Sequence, residues 1–371
     1  MYIFKDEIFV ECLKEKYKLK FKETKWWWEI TSSKEIIKKI KEIECKWYEI
    51  NYIDGISTFK NLEVLDLSSN KIKKLPKEIW NLENLEVLDL WWIWWNQLQE
   101  LPKEIWNLKK LKKLDLGLNQ IQELPKEIGQ LTNLEVLDLS VNQLQELPKE
   151  IWNLKKLKKL NLWKNQLQEL PKEIGKLENL EELDLTGNKL QKLPKEIWNL
   201  KKLKILVLKE NQLQELPKKI WNLENLERLV LYWNQIEELS KEIWNLTKLE
   251  LLDLWWNQIK ELPKEIWNLK KLERLGLWWN QIKKLPKEIW NLENLEYLVL
   301  TWNQLQELPK EILNLKNLEE LDLYKAFDLN NLKQNPKELL DILKKLKDKN
   351  VLDTNSLEYL EEKVYPFLEK E

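Results

Sequence analysis

One group of side chains with metal-binding or catalytic potential recurs at a fixed position of a repeated motif. Its members are Asp66, Asp89, Asp115, Asp138 and Asp184, with Asn161 in the same position of one copy. Stacked carboxylates could coordinate Ca²⁺ or act as a general acid and base. The alternative is a solvated row neutralised by lysines, because Lys113 and Lys159 project from the same face of neighbouring copies. We favour this alternative, since nothing in the sequence indicates burial of the row.

Other chemistry-bearing residues are scarce. The chain contains no His and only two cysteines, Cys12 and Cys45. The sequence signatures of nucleotide-binding loops, nucleophile elbows and zinc proteases are absent. We therefore predict a protein that is not an enzyme and that binds neither a cofactor nor a metal. The two cysteines could form a disulfide, but with so few cysteines we expect two free thiols.

Charge and hydropathy limit the classes of partner. Lys plus Arg is 62 and Asp plus Glu is 63, so the chain lacks the basic excess that nucleic acid selects. No run of about 18 apolar residues predicts a membrane span. The charged N-terminal segment is unlike a secretory signal, so we expect a cytoplasmic monomer, with a secreted effector as the alternative.

These carboxylates belong to a sequence repeat that makes up most of the chain. An Asn follows the run L-x-x-L-x-L at Asn70, Asn96, Asn119, Asn142, Asn165, Asn188, Asn211, Asn234, Asn257, Asn280 and Asn303. From Asn96 onward every step is 23 residues. Together with the following L-P-x-x-I-x-x-L, this pattern resembles the bacterial 23-residue class of the leucine-rich-repeat family. The resemblance implies a binding scaffold that recognises a partner protein. The alternative is a targeting module whose catalytic part lies on another chain.

The repeat predicts an α/β fold, a leucine-rich-repeat solenoid (horseshoe) with a parallel concave β-sheet and helical caps at both ends. Residues 1–58 form the N-terminal cap, 59–325 an array of about twelve units, and 326–371 the C-terminal helical cap. Ile36, Ile37, Ile40 and Ile43 are spaced as one face of a helix that Ser33 caps. Each repeat Asn should bond turn backbone in its own coil and the next. Each P-K-E-I segment should form one 3₁₀ turn.

Tryptophan is abundant where glycine is scarce, with 23 Trp and 6 Gly in the chain. One set follows the Ile of P-K-E-I or its variants, in what we call the post-isoleucine slot: Trp80, Trp106, Trp152, Trp198, Trp221, Trp244, Trp267 and Trp290. A second set lies between strand and repeat Asn, in what we call the turn slot: Trp91, Trp92, Trp94, Trp95, Trp163, Trp233, Trp255, Trp256, Trp278, Trp279 and Trp302.

Four glycines occupy these same slots in other copies of the repeat: Gly129 and Gly175 after Ile, and Gly117 and Gly187 in the turn. One hypothesis is that the gene comes from a lineage that reads UGA as glycine. It predicts a left-handed backbone at Gly129 and Gly175, as for helix-end glycines. The rival hypothesis is a real aromatic ladder, which would mark a binding surface or an aggregation hazard.

A candidate protein-binding surface needs no tryptophan. Arg228 and Arg274 are the only arginines in the chain, and both fall in the same outward strand position. Interface centres are enriched in Arg and Tyr and poor in Lys. We predict a surface, called the arginine patch from here on, made of Ile205, Val207, Arg228, Val230, Tyr232, Leu251, Arg274, Tyr297 and Val299.

Overall fold

The structure is a computed structural model that describes residues 3–91 and 98–370. The repeat Asn96 and the turn-slot tryptophans Trp92, Trp94 and Trp95 lie outside the described residues, as do the side chains of Trp244, Trp267 and Trp290. The chain divides into two compact units, Met1–Leu183 and Asp184–Glu371. Because the repeat continues through both, each unit has the same internal construction.

The first unit begins with a mixed α/β cap, where the sequence predicted helices. Its elements are β1 (Ile3–Phe4), α1 (Glu7–Tyr17), β2 (Phe21–Glu23), β3 (Trp28–Ile30) and α2 (Lys34–Lys39). The three strands form an antiparallel sheet in the order β1-β3-β2.

Helix α2 is shorter than the isoleucine spacing predicted. The Ser33 hydroxyl accepts the Ile36 N–H, so the predicted N-cap is confirmed. The helix ends before Ile40, and Ile43 lies instead in β4 (Glu42–Glu44), which pairs in parallel with the next strand of the chain. The pattern was misleading because Ile37 and Ile43 face the core from two different elements.

The two cysteines form a disulfide, which corrects the expectation of free thiols. Helix α1 brings Cys12 beside the end of β4, where the Cα atoms of Cys12 and Cys45 are 6.1 Å apart. Both residues are fully buried.

Short parallel strands follow in the first unit, one from each coil. They are β4, β5 (Val64–Asp66), β6 (Val87–Asp89), β7 (Lys113–Asp115), β8 (Val136–Asp138) and β9 (Lys159–Asn161), paired in that order and in register. The middle Leu or Ile of each strand is buried, while the residues on either side face outward. A further strand, β10 (Glu182–Asp184), contains the division between the units.

The second unit repeats this arrangement. Its strands are β11 (Ile205–Val207), β12 (Arg228–Val230), β13 (Leu251–Asp253), β14 (Arg274–Gly276), β15 (Tyr297–Val299) and β16 (Glu320–Asp322), again parallel and in register. The parallel sheet and the stacked coils agree with the predicted α/β leucine-rich-repeat solenoid.

The P-K-E-I segments form the predicted 3₁₀ turns. In the first unit these turns are Lys77–Asn81, Lys103–Asn107, Lys126–Gln130, Lys149–Asn153 and Lys172–Lys176, and a 3₁₀ turn without the motif, Ile56–Thr58, precedes them. In the second unit the motif or its variants P-K-K-I and S-K-E-I form Lys195–Asn199, Ile220–Asn222, Lys241–Asn245, Lys264–Asn268, Lys287–Asn291 and Lys310–Asn314, and a 3₁₀ turn without the motif, Leu329–Asn331, follows them. Proline stands just before most of them, at a position where its missing N–H breaks no bond.

The repeat asparagines bind turn backbone as predicted, but toward the preceding coil and not the next. Asn234 is typical: its Oδ1 accepts the Leu213 N–H at 3.0 Å. Its Nδ2 donates to the carbonyls of Leu231 at 2.9 Å and Leu208 at 3.0 Å. One buried amide therefore satisfies three backbone groups and links two coils.

Helices cover the end of the second unit. Asn335 caps α3 (Pro336–Asp348), as expected for the predicted C-terminal helical cap. A last helical segment follows α3. It comprises α4 (Thr354–Tyr359, capped by Asp353), a π-helical turn (Leu360–Val364) and α5 (Tyr365–Leu368). Pro366 does not stop it, because proline is tolerated in a first helical turn.

Candidate functional site

The arginine patch lies within the second unit, and strand register brings its members together. Ile205, Arg228, Leu251, Arg274 and Tyr297 pair successively and form one outward row. Two residues further along the strands, a second row runs Val207, Val230, Asp253, Gly276 and Val299. The two arginines are exposed, whereas their apolar neighbours are half-buried. Tyr232 lies just past the end of β12.

The second row is less apolar than the sequence suggested. Asp253 and Gly276 separate Val230 from Val299. Burial raises the pKa of the Asp253 carboxyl to about 6, although the nearby guanidinium groups of Arg228 and Arg274 act in the opposite direction. Sequence reasoning missed Asp253 because the same L-D-L motif recurs in many coils. The neighbouring arginines were the only signal that distinguished this copy.

Aromatic contacts hold one edge of the patch. The Arg274 guanidinium carbon lies 4.5 Å from the centroid of the Tyr297 ring, which is a cation–π contact. The Tyr297 hydroxyl donates to Glu319 Oε2 at 3.0 Å. Hydrogen bonding to this carboxylate raises the pKa of the Tyr297 phenol. The ring is therefore fixed at both ends and presents Arg274 to solvent in a limited range of orientations.

The aspartates of the first unit form a second candidate, called the acidic row: Asp66, Asp89, Asp115 and Asp138. Lys113 Nζ lies 2.9 Å from Asp89 Oδ2 and 3.7 Å from Asp115 Oδ2. Asn161 Nδ2 donates to Asp138 Oδ2 at 2.7 Å. Lys159 pairs with Glu182 instead of the row, contrary to expectation.

The acidic row is largely buried, so its description as a solvated row was wrong. The Asp115 side chain is only 14% exposed. Burial, followed by repulsion from Asp138 and Asp89, raises the pKa of Asp115 to about 7. Among the residues that the structure describes, no three His, Cys, Asp or Glu side chains are placed to hold a metal ion.

Turn-slot tryptophans border the arginine patch. The rings of Trp233, Trp256, Trp279 and Trp302 follow one another with centroid separations of 6.0, 4.3 and 4.9 Å. All four are 37–49% exposed. Tyr232 stacks on Trp255 at 5.7 Å. As written, the sequence thus places an apolar ladder beside the arginines.

Family models match most of the chain. A model described as a leucine-rich repeat region matches residues 103–184, 149–256 and 237–370, and one for a single leucine-rich repeat matches 61–82. The chain belongs to the leucine-rich-repeat family. No curated protein matches it.

Solved structures of other leucine-rich-repeat proteins resemble this one. A leucine-rich-repeat protein of Leptospira interrogans is 36% identical, with 86% of this chain and 97% of that chain covered and a TM-score of 0.61. An internalin of Listeria monocytogenes is 24% identical, with coverages of 89% and 94% and a TM-score of 0.75, and supports the fold alone.

A plant example was solved with a ligand. The leucine-rich-repeat ectodomain of a membrane receptor kinase from Arabidopsis thaliana was determined in complex with Casparian strip integrity factor 2. It is 26% identical, with 80% of this chain and 48% of that chain covered and a TM-score of 0.57. Among the described helices of this leucine-rich-repeat protein, none is long and apolar enough to cross a membrane.

Proposed function

We propose that this leucine-rich-repeat protein is a non-catalytic, monomeric scaffold that recognises a partner protein through the arginine patch of its second unit. The observation that carries the proposal is the register of β11–β15, which unites both arginines of the chain with Tyr297 and half-buried Ile, Leu and Val side chains. Arg and Tyr among apolar neighbours are typical of interface centres. We also assign the repeats to the bacterial 23-residue class, from their uniform spacing.

The chemistry of the patch favours a partner segment that carries carboxylates beside apolar residues. Arg228 and Arg274 stand two strands apart, about 10 Å by sheet geometry, so each can bind a separate carboxylate. Arginine does so with two parallel hydrogen bonds, which lysine cannot match. Val207, Val230 and Leu251 would exclude water around these bonds and strengthen them.

The test is capture from an extract of the native host with the full chain as bait. The bait variant Arg228→Ala with Arg274→Ala should lose a partner that the unmodified chain enriches. Lys248→Ala with Lys271→Ala is the charge-matched control in the same unit, since both lysines are exposed and lie outside the strands. Asp115→Asn with Asp138→Asn tests the other unit. If the aspartate variant alone loses the partner, the site is on the acidic row and the proposal is wrong.

The disulfide supports an oxidising compartment for the scaffold, rather than the cytoplasm that the first residues indicated. Disulfides such as that between Cys12 and Cys45 persist mainly in secreted and periplasmic proteins. Alkylation of thiols in freshly lysed host cells tests this point. Modified Cys12 and Cys45 in the native protein would place the scaffold in a reducing compartment and restore the earlier prediction.

A further inference from the structure

Several tryptophans have buried indole N–H groups that lack a hydrogen-bond acceptor. The indole Nε1 atoms of Trp106, Trp152, Trp221, Trp255 and Trp278 are buried without a hydrogen-bond partner. The first three occupy the post-isoleucine slot and the last two the turn slot. A buried Trp N–H usually finds an acceptor, so the same defect in five repeat positions indicates that these positions were not selected for tryptophan.

Glycines in the same slots fit their surroundings closely. A Cβ added at Gly129 would lie 2.6 Å from the Glu150 carbonyl oxygen and 2.9 Å from the Glu150 Cβ, both in the following coil. One added at Gly117 would lie 2.7 Å from the Trp91 ring in the preceding coil and 2.9 Å from the Ser140 hydroxyl oxygen in the following coil. At both positions the neighbouring coil approaches the backbone at distances that a residue without a side chain accommodates best.

The left-handed backbone falls in the turn slot and not where the sequence predicted it. Gly129 and Gly175 do not have positive φ, so that prediction was wrong. Positive φ occurs instead at the residue before the repeat Asn, where Gly187 has φ 64° and four tryptophans have values of 49–56°: Trp233, Trp256, Trp279 and Trp302. Leu118 and Val141 share this conformation, so the position accepts side chains, but glycine adopts it without strain.

We propose that the nineteen tryptophans of the two slots are glycines in the protein as its own cell makes it, because that cell decodes UGA as glycine. This explains why glycine and tryptophan, which share no steric property, alternate in the same slots. It removes the buried indole defects and the exposed ring ladder together. The turns beside the arginine patch then carry no tryptophan rings. The arginine patch becomes the main candidate binding surface of the second unit.

Peptide mass spectrometry of the protein isolated from its native host tests the proposal directly. Peptides that contain positions 152 and 256 report one residue from each slot. Glycine masses at both, with UGA codons in the gene, are the expected result. A tryptophan mass at either position overturns the proposal.

A second measurement compares two recombinant proteins, the chain as written and a chain with glycine at all nineteen positions. The glycine chain should unfold cooperatively and bind less of a dye that reports exposed apolar surface. If the glycine chain is unfolded while the tryptophan chain folds cooperatively, the proposal is wrong. Neither result depends on a binding partner, so this inference can fail while the proposed function stands.

Discussion

The Arg274 guanidinium lies 4.5 Å from the ring centroid of Tyr297, and the same ring hydrogen-bonds Glu319. An arginine held against an aromatic ring loses less freedom on binding than a free surface lysine does. The arginine patch is therefore partly preorganised for a carboxylate ligand before any partner arrives.

The first prediction concerns affinity for the partner. Arg228→Ala with Arg274→Ala should weaken binding by at least about 2 kcal/mol, since truncation of buried interface arginines is typically this costly. The melting temperature should change little, because both side chains are exposed in the free protein. Titration calorimetry with the captured partner gives the affinity. Arg228→Lys with Arg274→Lys should recover only part of the loss, and full recovery would show that charge alone suffices.

The second prediction concerns the asparagine that links two coils. Asn234→Leu leaves the Leu213 N–H and the carbonyls of Leu208 and Leu231 without this partner. Loss of buried hydrogen bonds should lower the free energy of unfolding by roughly 1–3 kcal/mol. The control is Gln235→Leu, the same change at an exposed neighbour. Equal shifts in urea denaturation for the two variants would contradict the role of Asn234.

The third prediction concerns pH. The Asp115 pKa rises from 3.8 to about 7 on folding, so between these values the folded chain binds the proton that the unfolded chain has released. Stability contributed by this group is therefore present below pH 4 and is lost as pH rises toward 7, at roughly 1.4 kcal/mol per pKa unit. Asp115→Asn should stabilise the protein at pH 8 and flatten this part of the profile.

Thermal melts at pH 5 and pH 8 measure the effect of Asp115→Asn. Glu146→Gln serves as the control, because Glu146 is an exposed acid of the same unit. A stabilisation of Asp115→Asn that is equal at both pH values would show that its carboxyl does not titrate in this range.

The fourth prediction concerns the N-terminal cap. The Cys12–Cys45 disulfide closes a loop with a sequence separation of 33, for which chain entropy predicts roughly 3–4 kcal/mol of stabilisation. Cys12→Ser with Cys45→Ser should therefore unfold at lower urea concentration. Reduction of the unmodified chain should give a shift of similar size. An unchanged midpoint after reduction would mean that the bond is not formed in solution.

Features that depend on local periodicity were predictable from the sequence. The strand, the 3₁₀ turn and the inward Asn each occupy one coil, and their signals are reinforced by repetition. The cap was harder to predict, because Ile40 and Ile43 continue a helical spacing although the chain leaves the helix after Lys39. Only tertiary packing decides between a longer helix and a strand at such a point.

The candidate site was likewise only partly predictable from the sequence. The sequence placed Arg228 and Arg274 in one outward row, and the strand register confirms that arrangement. The sequence could not show that Asp253 is partly buried between the two arginines. Nor could it show that the pKa of Asp115 is raised to about 7. Those properties depend on how deeply neighbouring coils cover a carboxylate, and every copy of the motif looks alike in sequence.

The asparagine contacts give the array a direction, since amides such as those of Asn234 and Asn257 reach back to the coil before them. In Asn257 this link is the bond from Nδ2 to the Leu231 carbonyl at 3.1 Å. A tandem duplication of one 23-residue unit would therefore supply the new coil with the partner groups it needs. Recombination between repeats can lengthen or shorten the sheet in whole steps without redesign of the core. Evolution can therefore change the surface area available to a partner protein without changing the stability of each coil.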